Sequence, residues 1–281
     1  MAATVQTPPS GTKRPQALDT DSLGATHRRD AWWIGPLLTG IVLAGFGIYG
    51  TGRAIYNAEY DFGHGAKSAA VAAESHSYLL SPFYSPLLTS LIPKGMEWLS
   101  PAFLILWAPG GFRVSCYYYR KAYYRAFFLD PPGCAVGEGH KKYSGETRLF
   151  LFQNLHRYFL YVAIIFLVLL AIDVGHAAIW PTTDGGWTIG CSVGTLVLLT
   201  NVVLLSLYTF SCHSFRHLVG GNVDCFSCVK FGAQRYQAWK GVSFINQRHM
   251  LFAWISLFGV GLADFYVWMV ASGRITDIRL F

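Results

Sequence analysis

The sequence contains few charged residues. Only 13% of its 281 positions are Asp, Glu, Lys or Arg, against about 25% in an average soluble domain. Several uncharged stretches approach the roughly 20 residues that an α-helix needs to cross a membrane. The shortage of charge therefore excludes an ordinary soluble globular protein and predicts an all-α membrane protein.

Other features are also missing. The N-terminus has no short apolar segment followed by a small-residue cleavage site, which predicts that no signal peptide is removed. We find neither an internal repeat nor an inverted pair of interrupted helices, so the pattern of a secondary transporter is absent. The net charge of +7 is concentrated in particular loops, which indicates membrane orientation rather than nucleic-acid binding.

The hydrophobic pattern predicts a bundle of five transmembrane helices in residues 32–281, preceded by a disordered tail over residues 1–31. The loop 113–148 carries seven basic residues, the segment 212–248 carries five, and the loop 173–188 carries none. Because basic loops stay in the cytoplasm, the N-terminus and the two basic segments are predicted to lie inside. The expected spans are about 32–53, 100–127, 149–172, 189–211 and 249–270.

Metal-capable side chains collect near the cytoplasmic ends of these spans. The fourth span ends in a run that places a thiol, two imidazoles and a guanidinium within residues 212–217. Such groups are costly in a bilayer unless they have partners, so they are typical of functional sites. If the helix continues, His213 and His217 share a face. The candidates at this depth are Cys116, His156, Cys212, His213, His217 and His249, with Cys134, Cys225 and Cys228 in the adjoining loops.

Two kinds of redox cofactor are compatible with this set. A b-type haem would use two axial histidines on facing helices, with His156 as one of them, but it has no use for the cysteines. A [2Fe–2S] cluster with two thiolates and two imidazoles would use both residue types, and its histidines would raise its potential. Reduced cytoplasmic thiols also favour metal ligation over cross-linking. The sequence therefore favours the mixed Cys/His cluster, with Cys225 and Cys228 as a reserve pair.

Four sequence blocks carry a resemblance to a known family. They are Cys116–Arg125, Pro131–Val136, Gln153–Phe159 and Cys212–Leu218. Over roughly residues 30–281 the chain resembles the membrane anchor of succinate:quinone oxidoreductase, respiratory complex II, of the five-span actinobacterial type. In cytochrome b anchors of this enzyme, a haem-ligand histidine precedes the Arg-His pair by seven residues. Phe210 occupies that position here, which favours the cysteine-containing alternative.

The resemblance implies a multi-pass protein of the bacterial inner membrane. Its partners would be an FAD-containing flavoprotein that oxidises succinate, an iron–sulfur subunit docked on the inner face, lipid, and a membrane quinone. The expected cofactor is a Rieske-type [2Fe–2S] cluster that passes electrons to the quinone. Its thiolates would come from Cys116 and Cys134, or else Cys212, and its imidazoles from His156 and from His213 or His217.

Quinone reduction also requires hydrogen-bond donors beside an apolar slot close to the last redox centre. The candidates for this role are Trp107, Tyr119, Arg120 and His249. Three alternatives stay open: the same role with haem b, a structural anchor without a cofactor, and a transporter lined by His156, Arg157 and Asn201. The transporter is the weakest of these, because the outer half of the sequence suggests no matching polar path.

Overall fold

The computed structural model describes residues 22–63, 78–96, 98–138, 150–181 and 186–281. The chain is mostly helical in these ranges, as predicted for an all-α membrane bundle. The α-helices are α1 (Ile34–Tyr56), α2 (Pro101–Ser115), α3 (Tyr117–Tyr123), α4 (Phe150–Ala178), α5 (Val193–Phe210), α6 (His213–Arg216), α7 (Gly232–Asn246) and α8 (His249–Ala271). We call the end of the bundle that carries Cys116 and Cys212 the inner end, following the predicted orientation.

Short elements complete the described chain. Tyr124–Phe128 and His217–Gly221 form π-helical turns, and Thr89–Leu91 and Phe226–Cys228 form 3-10 turns. Two antiparallel hairpins lie at the outer end. One pairs β1 (Asp61–Phe62) with β2 (Leu79–Leu80), with Asp61 opposite Leu80. The other pairs β3 (Ile179–Pro181) with β4 (Trp187–Ile189), with Trp180 opposite Thr188.

Helices α1, α5 and α8, together with residues Leu155–Ala178 of α4, are long and apolar enough to cross a membrane. The predicted span 100–127 has a different form, because Cys116 adopts an extended conformation and separates α2 from α3. The 15 residues of α2 extend about 22 Å. This part of the chain is therefore an interrupted helix rather than one continuous span.

The helices begin where local chemistry favours it. Pro101 occupies the first turn of α2, and the Ser100 side chain accepts a hydrogen bond from the Ala102 backbone N–H. Ser192 and Thr195 form a reciprocal capping box at the start of α5. Both arrangements satisfy backbone donors that a helix start would otherwise leave unpaired.

The centre of the bundle is built by α2, α4, α5 and α8. Helix α5 packs most extensively against α8, and α4 contacts both α2 and α5. Glycines permit close approach: a Cβ at Gly111 would lie 2.3 Å from the Phe159 ring, and one at Gly259 would lie 2.7 Å from Leu204. Helix α1 is peripheral, since only Arg53 and Ala54 of its residues are buried.

The connection between α1 and α2 enters the outer end of the bundle. Leu79, Leu80 and the four residues Ser81, Phe83, Tyr84 and Ser85 are buried. Ser81 is hydrogen-bonded to the carboxylate of Asp264, and Ser85 to that of Asp173. This segment is therefore held in the bundle by carboxylates from two helices.

The N-terminal segment follows the inner loop after α3. Gly137 donates its backbone N–H to the Ala25 carbonyl at 2.7 Å, and the Thr26 hydroxyl donates to the Ala135 carbonyl at 2.7 Å. Residues 1–21 of the predicted disordered tail lie outside the described residues. The division into a tail and a membrane domain stays a prediction.

Candidate redox site

Two helix interruptions place two cysteines at the inner end of the bundle. Cys116 is extended between α2 and α3, and Cys212 is extended between α5 and α6. The Cys212 Sγ accepts a hydrogen bond from the Phe215 backbone N–H at 3.2 Å, which caps α6. Cys116 is 2% exposed and Cys212 is 1% exposed. Both cysteines thus lie at breaks between helical segments and are buried in the same cluster of side chains.

Both cysteines line one cavity of about 540 Å³, which we call the redox cavity after the predicted cluster. Histidines from three different segments line it as well. The metal-capable lining residues are Cys116, His156, Cys212, His213 and His249, and Arg120 lies beside them. Among the described residues, no three His, Cys, Asp or Glu side chains converge closely enough to hold a single metal ion. The cavity therefore collects donor groups without forming a compact mononuclear metal site.

The two most buried histidines of this cavity are held by serines. Nδ1 of His156 lies 3.1 Å from the Ser115 Oγ and 3.1 Å from the Phe112 carbonyl oxygen. Nδ1 of His249 lies 2.8 Å from the Ser211 Oγ. Both serines immediately precede the cysteines of the two interruptions. Each break thus supplies one thiol and one side chain that orients an imidazole.

The second nitrogen of His249 meets a thiol. Its Nε2 lies 3.4 Å from the Sγ of Cys116. This contact joins the start of α8 to the break between α2 and α3. A cysteine and a histidine from distant parts of the sequence are therefore adjacent.

Aromatic rings separate this cavity from a second one. The Phe112 ring stacks on His156 with a centroid distance of 4.6 Å, and the Tyr208 ring stacks on His249 at 5.1 Å. Phe112 and Tyr208 contact each other edge-on at 5.4 Å. Both rings also line the second cavity. They form a wall that has an imidazole on one side and an apolar space on the other.

The second cavity has a volume of about 430 Å³ and lies deeper in the bundle. Arg113 is the only charged residue among the described residues that line it. Its guanidinium donates to the Tyr119 hydroxyl at 2.7 Å and to the Ser256 hydroxyl at 3.1 Å. It also lies 4.7 Å from the centre of the Tyr208 ring. The apolar cavity therefore has one cationic, hydrogen-bonding end, next to the aromatic wall.

The structure brings together only part of the predicted ligand set. Cys116, Cys212, His156 and His213 share the redox cavity. Cys134 is exposed and lines a different cavity, with its Sγ 3.9 Å from Arg125 Nη2. The chain breaks between α5 and α6, but the His217 backbone N–H bonds to the His213 carbonyl, so these two histidines lie one helical turn apart. His217 itself begins a π-helical turn. The residues of this cavity do not include His217.

The reserve pair does not offer free thiols. Cys225 and Cys228 are joined by a disulfide, which departs from the expectation that inner cysteines stay reduced. The two cysteines are three positions apart, and the 3-10 turn between them brings their side chains together. The disulfide leaves Cys116, Cys134, Cys191 and Cys212 as the free cysteines of the described chain.

The predicted quinone residues do not share one cavity, and Tyr119 lines neither of the two. Trp107 lines the apolar cavity, although its indole N–H donates to the Leu104 carbonyl. Arg120 and His249 line the redox cavity. Tyr119 is buried and donates its hydroxyl to the Ala253 carbonyl at 2.6 Å. Arg113, which was not among the predicted quinone residues, lies inside the bundle and donates to the Ala253 carbonyl at 3.2 Å.

Sequence reasoning also missed a charged pair in the outer half. Arg53 of α1 and Asp264 of α8 form a buried ion pair at 2.9 Å. The outer half of the bundle therefore contains a buried charged pair that was not predicted from the sequence. A signal was available, since each residue is a lone charge near an otherwise apolar run, and such residues usually find partners inside a bundle.

Comparison with known proteins agrees with this architecture. A family model described as actinobacterial succinate dehydrogenase subunit SdhC matches residues 34–273. The chain also resembles a chain in the solved structure of the Mycobacterium smegmatis Sdh1 complex in the apo form, with 40% sequence identity and a TM-score of 0.79. That match covers 96% of this chain and 98% of the other. No curated protein matches the sequence significantly. The chain is a multi-pass membrane protein of bacteria, and it belongs to the actinobacterial succinate dehydrogenase subunit SdhC family.

Proposed function

We propose that this subunit anchors a succinate dehydrogenase complex in the membrane and carries electrons from its iron–sulfur subunit to a quinone. The flavoprotein partner, with its FAD, would oxidise succinate. The observation that carries the proposal is the pair of adjoining cavities, one lined by cysteines and histidines and one apolar, with Phe112 and Tyr208 between them. A redox centre and a quinone held in these cavities would have these two aromatic rings between them.

The donor set of the first cavity fits a Rieske-type [2Fe–2S] cluster. We assign Cys116 and Cys212 as its thiolate ligands and His156 and His249 as its imidazole ligands. Such a cluster needs only two protein ligands on each iron, so it does not require three side chains to converge on one point. When bound, it would take up and release one electron at a time. His249 replaces His213 or His217 in the ligand set because its Nε2 already faces the Cys116 thiol.

Other residues around this cavity would orient and tune the ligands. Ser115 and Ser211 engage Nδ1 of His156 and His249, which leaves Nε2 of each ring as the ligating nitrogen. Hydrogen bonds to the far nitrogen of a ligating histidine fix its ring and its tautomer. Arg120 lines the same cavity and would offset negative charge there.

A haem fits these contacts less well. Haem iron would have to approach Nε2 of each axial histidine from an open direction. In His249 that direction is taken by the Cys116 Sγ at 3.4 Å. A thiol in this position suits a centre that uses both groups. The observation therefore favours the cluster over two-histidine haem ligation.

The apolar cavity would receive the quinone. A quinone ring is largely apolar, and its carbonyl oxygens accept hydrogen bonds, which suits a mostly hydrophobic pocket with few polar groups. The Arg113 guanidinium can donate such a bond, and the buried Tyr119, Ala253 and Ser256 hold it in place. We assign Arg113 as the group that orients the quinone head beside the aromatic wall.

Optical and EPR spectra of the purified complex would test the proposal. The expected result is a [2Fe–2S] signal with the low average g value of histidine ligation, in addition to signals from the iron–sulfur subunit, and no Soret band. A Soret band would identify haem. Neither signal, together with full quinone reduction, would mean that the subunit conducts no electrons through a cofactor of its own.

A further inference from the structure

A basic cavity lies just beyond the helix break at Cys116. Its volume is about 260 Å³. It is formed by one face of α3 and by the loop after the π-helical turn Tyr124–Phe128. The lining residues are Tyr117, Arg120, Lys121, Tyr124, Arg125, Asp130, Pro131 and Cys134. Three cations therefore face this cavity against one carboxylate.

The polar groups of this cavity are incompletely matched by the protein. Among the described residues, the buried Arg125 Nε and the buried Asp130 Oδ1 have no hydrogen-bond partner. Arg125 Nη2 lies 3.9 Å from the Cys134 Sγ. Buried polar atoms are nearly always hydrogen-bonded in folded proteins. A ligand with acceptor oxygens would satisfy the Arg125 donor, and its negative charge would balance part of the excess positive charge.

The surface that leads to the cavity is apolar and exposed. Along α2, Phe103 is 47% exposed, Trp107 61% and Val114 57%, and Tyr117 of α3 follows at 65%. Phe103, Trp107 and Val114 are four and seven positions apart, so they share one face of α2. Tyr117 lies beyond the helix break and lines the cavity. We call these four exposed residues the stripe. The stripe ends at the cavity, where the next residue in the series is Lys121.

Position relative to α1 indicates the depth of this cavity. The π-helical turn packs on α1, where a Cβ at Gly40 would lie 3.7 Å from the Ala126 side chain and 3.8 Å from that of Phe127. Gly40 is about two turns inside the start of α1, so this turn lies within the predicted inner leaflet. Tyrosines and basic side chains are the residues that favour the level of the lipid headgroups.

We propose that this cavity binds the phosphodiester headgroup of an anionic phospholipid. Lys121 and Arg125 contact the phosphate, and the acyl chains lie along the exposed stripe from Tyr117 to Phe103. A headgroup alone would explain the charge of the cavity, whereas a lipid also explains the apolar stripe that ends there. The proposal depends on the membrane position of the chain and not on the identity of the redox cofactor.

The test uses the whole complex in nanodiscs made from equal amounts of phosphatidylglycerol and phosphatidylcholine. Lipids that remain after gentle re-extraction in detergent are quantified by mass spectrometry. Wild-type complex should retain phosphatidylglycerol in preference to phosphatidylcholine. A Lys121→Glu, Arg125→Glu variant should lose that preference about tenfold or more, because each basic residue near an anionic headgroup contributes about a factor of five to its binding.

The matched control is a Lys230→Glu, Lys240→Glu variant, which makes the same change of charge elsewhere on the inner side and should keep the lipid. Should the first variant fail to assemble, Lys121→Gln is measured in its place. Equal retention of both lipids by the wild type would overturn the proposal. Binding of inorganic phosphate without any lipid preference would assign the cavity to free phosphate. Loss of the iron–sulfur subunit from the variant with unchanged lipid would assign the cavity to an acidic side chain of that subunit.

Discussion

The two ends of the bundle both bury polar side chains, but they do so in different ways. At the outer end, the Asp264 carboxylate receives hydrogen bonds from Arg53, Tyr49 and Ser81, and the Arg53 guanidinium lies over the Trp268 ring at 4.8 Å. At the inner end, cysteines and histidines surround a cavity of about 540 Å³. The outer groups are satisfied by one another, whereas the inner groups border a space that can be filled.

This difference separates a structural role from a functional one. A buried ion pair whose hydrogen bonds are complete joins two helices and needs no ligand, and removing one partner leaves the other charge buried and unpaired. Donor groups around a cavity gain their partners when a cofactor binds. We therefore interpret the Arg53–Asp264 pair as a structural contact that holds α1 against α8, and the inner cavity as the redox site.

The largest effect is expected at the inner end. A His156→Ala, His249→Ala variant should lose quinone reduction down to background, because it removes both proposed imidazole ligands. Succinate oxidation with a soluble electron acceptor should persist, since that reaction takes place on the partner subunits. Enzyme assays with the two acceptors, made on the same purified complex, check this outcome.

The control for that variant is His217→Ala, because His217 lies outside the redox cavity. It should retain quinone reduction and the [2Fe–2S] signal. A reversed result, with His217→Ala inactive and the His156, His249 variant active, would show that the ligands are not those assigned here.

The outer end should respond in stability rather than in chemistry. Asp264→Ala leaves Arg53 buried without its partner, which costs about 3–5 kcal/mol in comparable buried pairs. The complex should then unfold at a lower temperature in detergent, while the folded fraction keeps its EPR signal. Thermal unfolding followed by the survival of intact complex measures the loss.

A charge-free replacement sharpens this prediction. An Arg53→Met, Asp264→Leu variant should recover most of the lost stability, because apolar side chains of similar volume can replace a buried pair. Wild-type stability of the Asp264→Ala variant would contradict the proposed structural role of the Arg53–Asp264 pair. Wild-type stability combined with lost quinone reduction would give the outer pair a direct part in the reaction.

Substitutions at two glycines of α1 test whether the apolar cavity between the two ends binds the quinone. A Cβ at Gly45 or at Gly47 would meet no protein atom within 4 Å, and only Gly47 lines the cavity. Gly47→Leu should therefore raise the KM for quinone, by roughly tenfold or more if the added side chain occupies quinone space. Gly45→Leu is the matched control and should leave the KM unchanged. Equal values for both variants would place the quinone elsewhere.

The smallest effect is expected for the inner disulfide. Cys225 and Cys228 lie in a loop outside both cavities, so a Cys225→Ser, Cys228→Ser variant should change quinone reduction by no more than about twofold, as for most surface substitutions. Iron content and the EPR signal should also be unchanged. A loss of iron in this variant would return the two cysteines to the list of ligands.

Much of the fold could be predicted because it depends on local pattern. Apolar runs of the right length indicated the positions of α1, α4, α5 and α8, and Pro101 indicated the start of α2. The depth of each cysteine and histidine followed from counting residues along those helices. This count predicted that Cys116, Cys212, His156 and His249 lie at the same depth, and in the structure all four line one cavity.

The interruptions themselves could not be predicted in this way. The strongest local helix breakers of α2 are Pro109 and Gly110, yet both lie inside that helix, and the break occurs at Cys116. Contacts between segments hold it there: His249 at the start of α8 reaches Cys116 with Nε2 and Ser211 with Nδ1. These partners are more than 30 positions away in the sequence, so no local pattern indicates them.

The sequence by itself therefore determined the membrane class, the positions of the four long apolar helices and the residue types near their ends, because hydrophobic length and side-chain chemistry are local properties. Only the tertiary structure decided which of those residues share a cavity. It excluded Cys134 and His217 from the redox cavity, placed His249 beside Cys116 and paired Arg53 with Asp264. The physical reason is that residues at one depth can point in any direction around a helix, and packing between helices selects the direction.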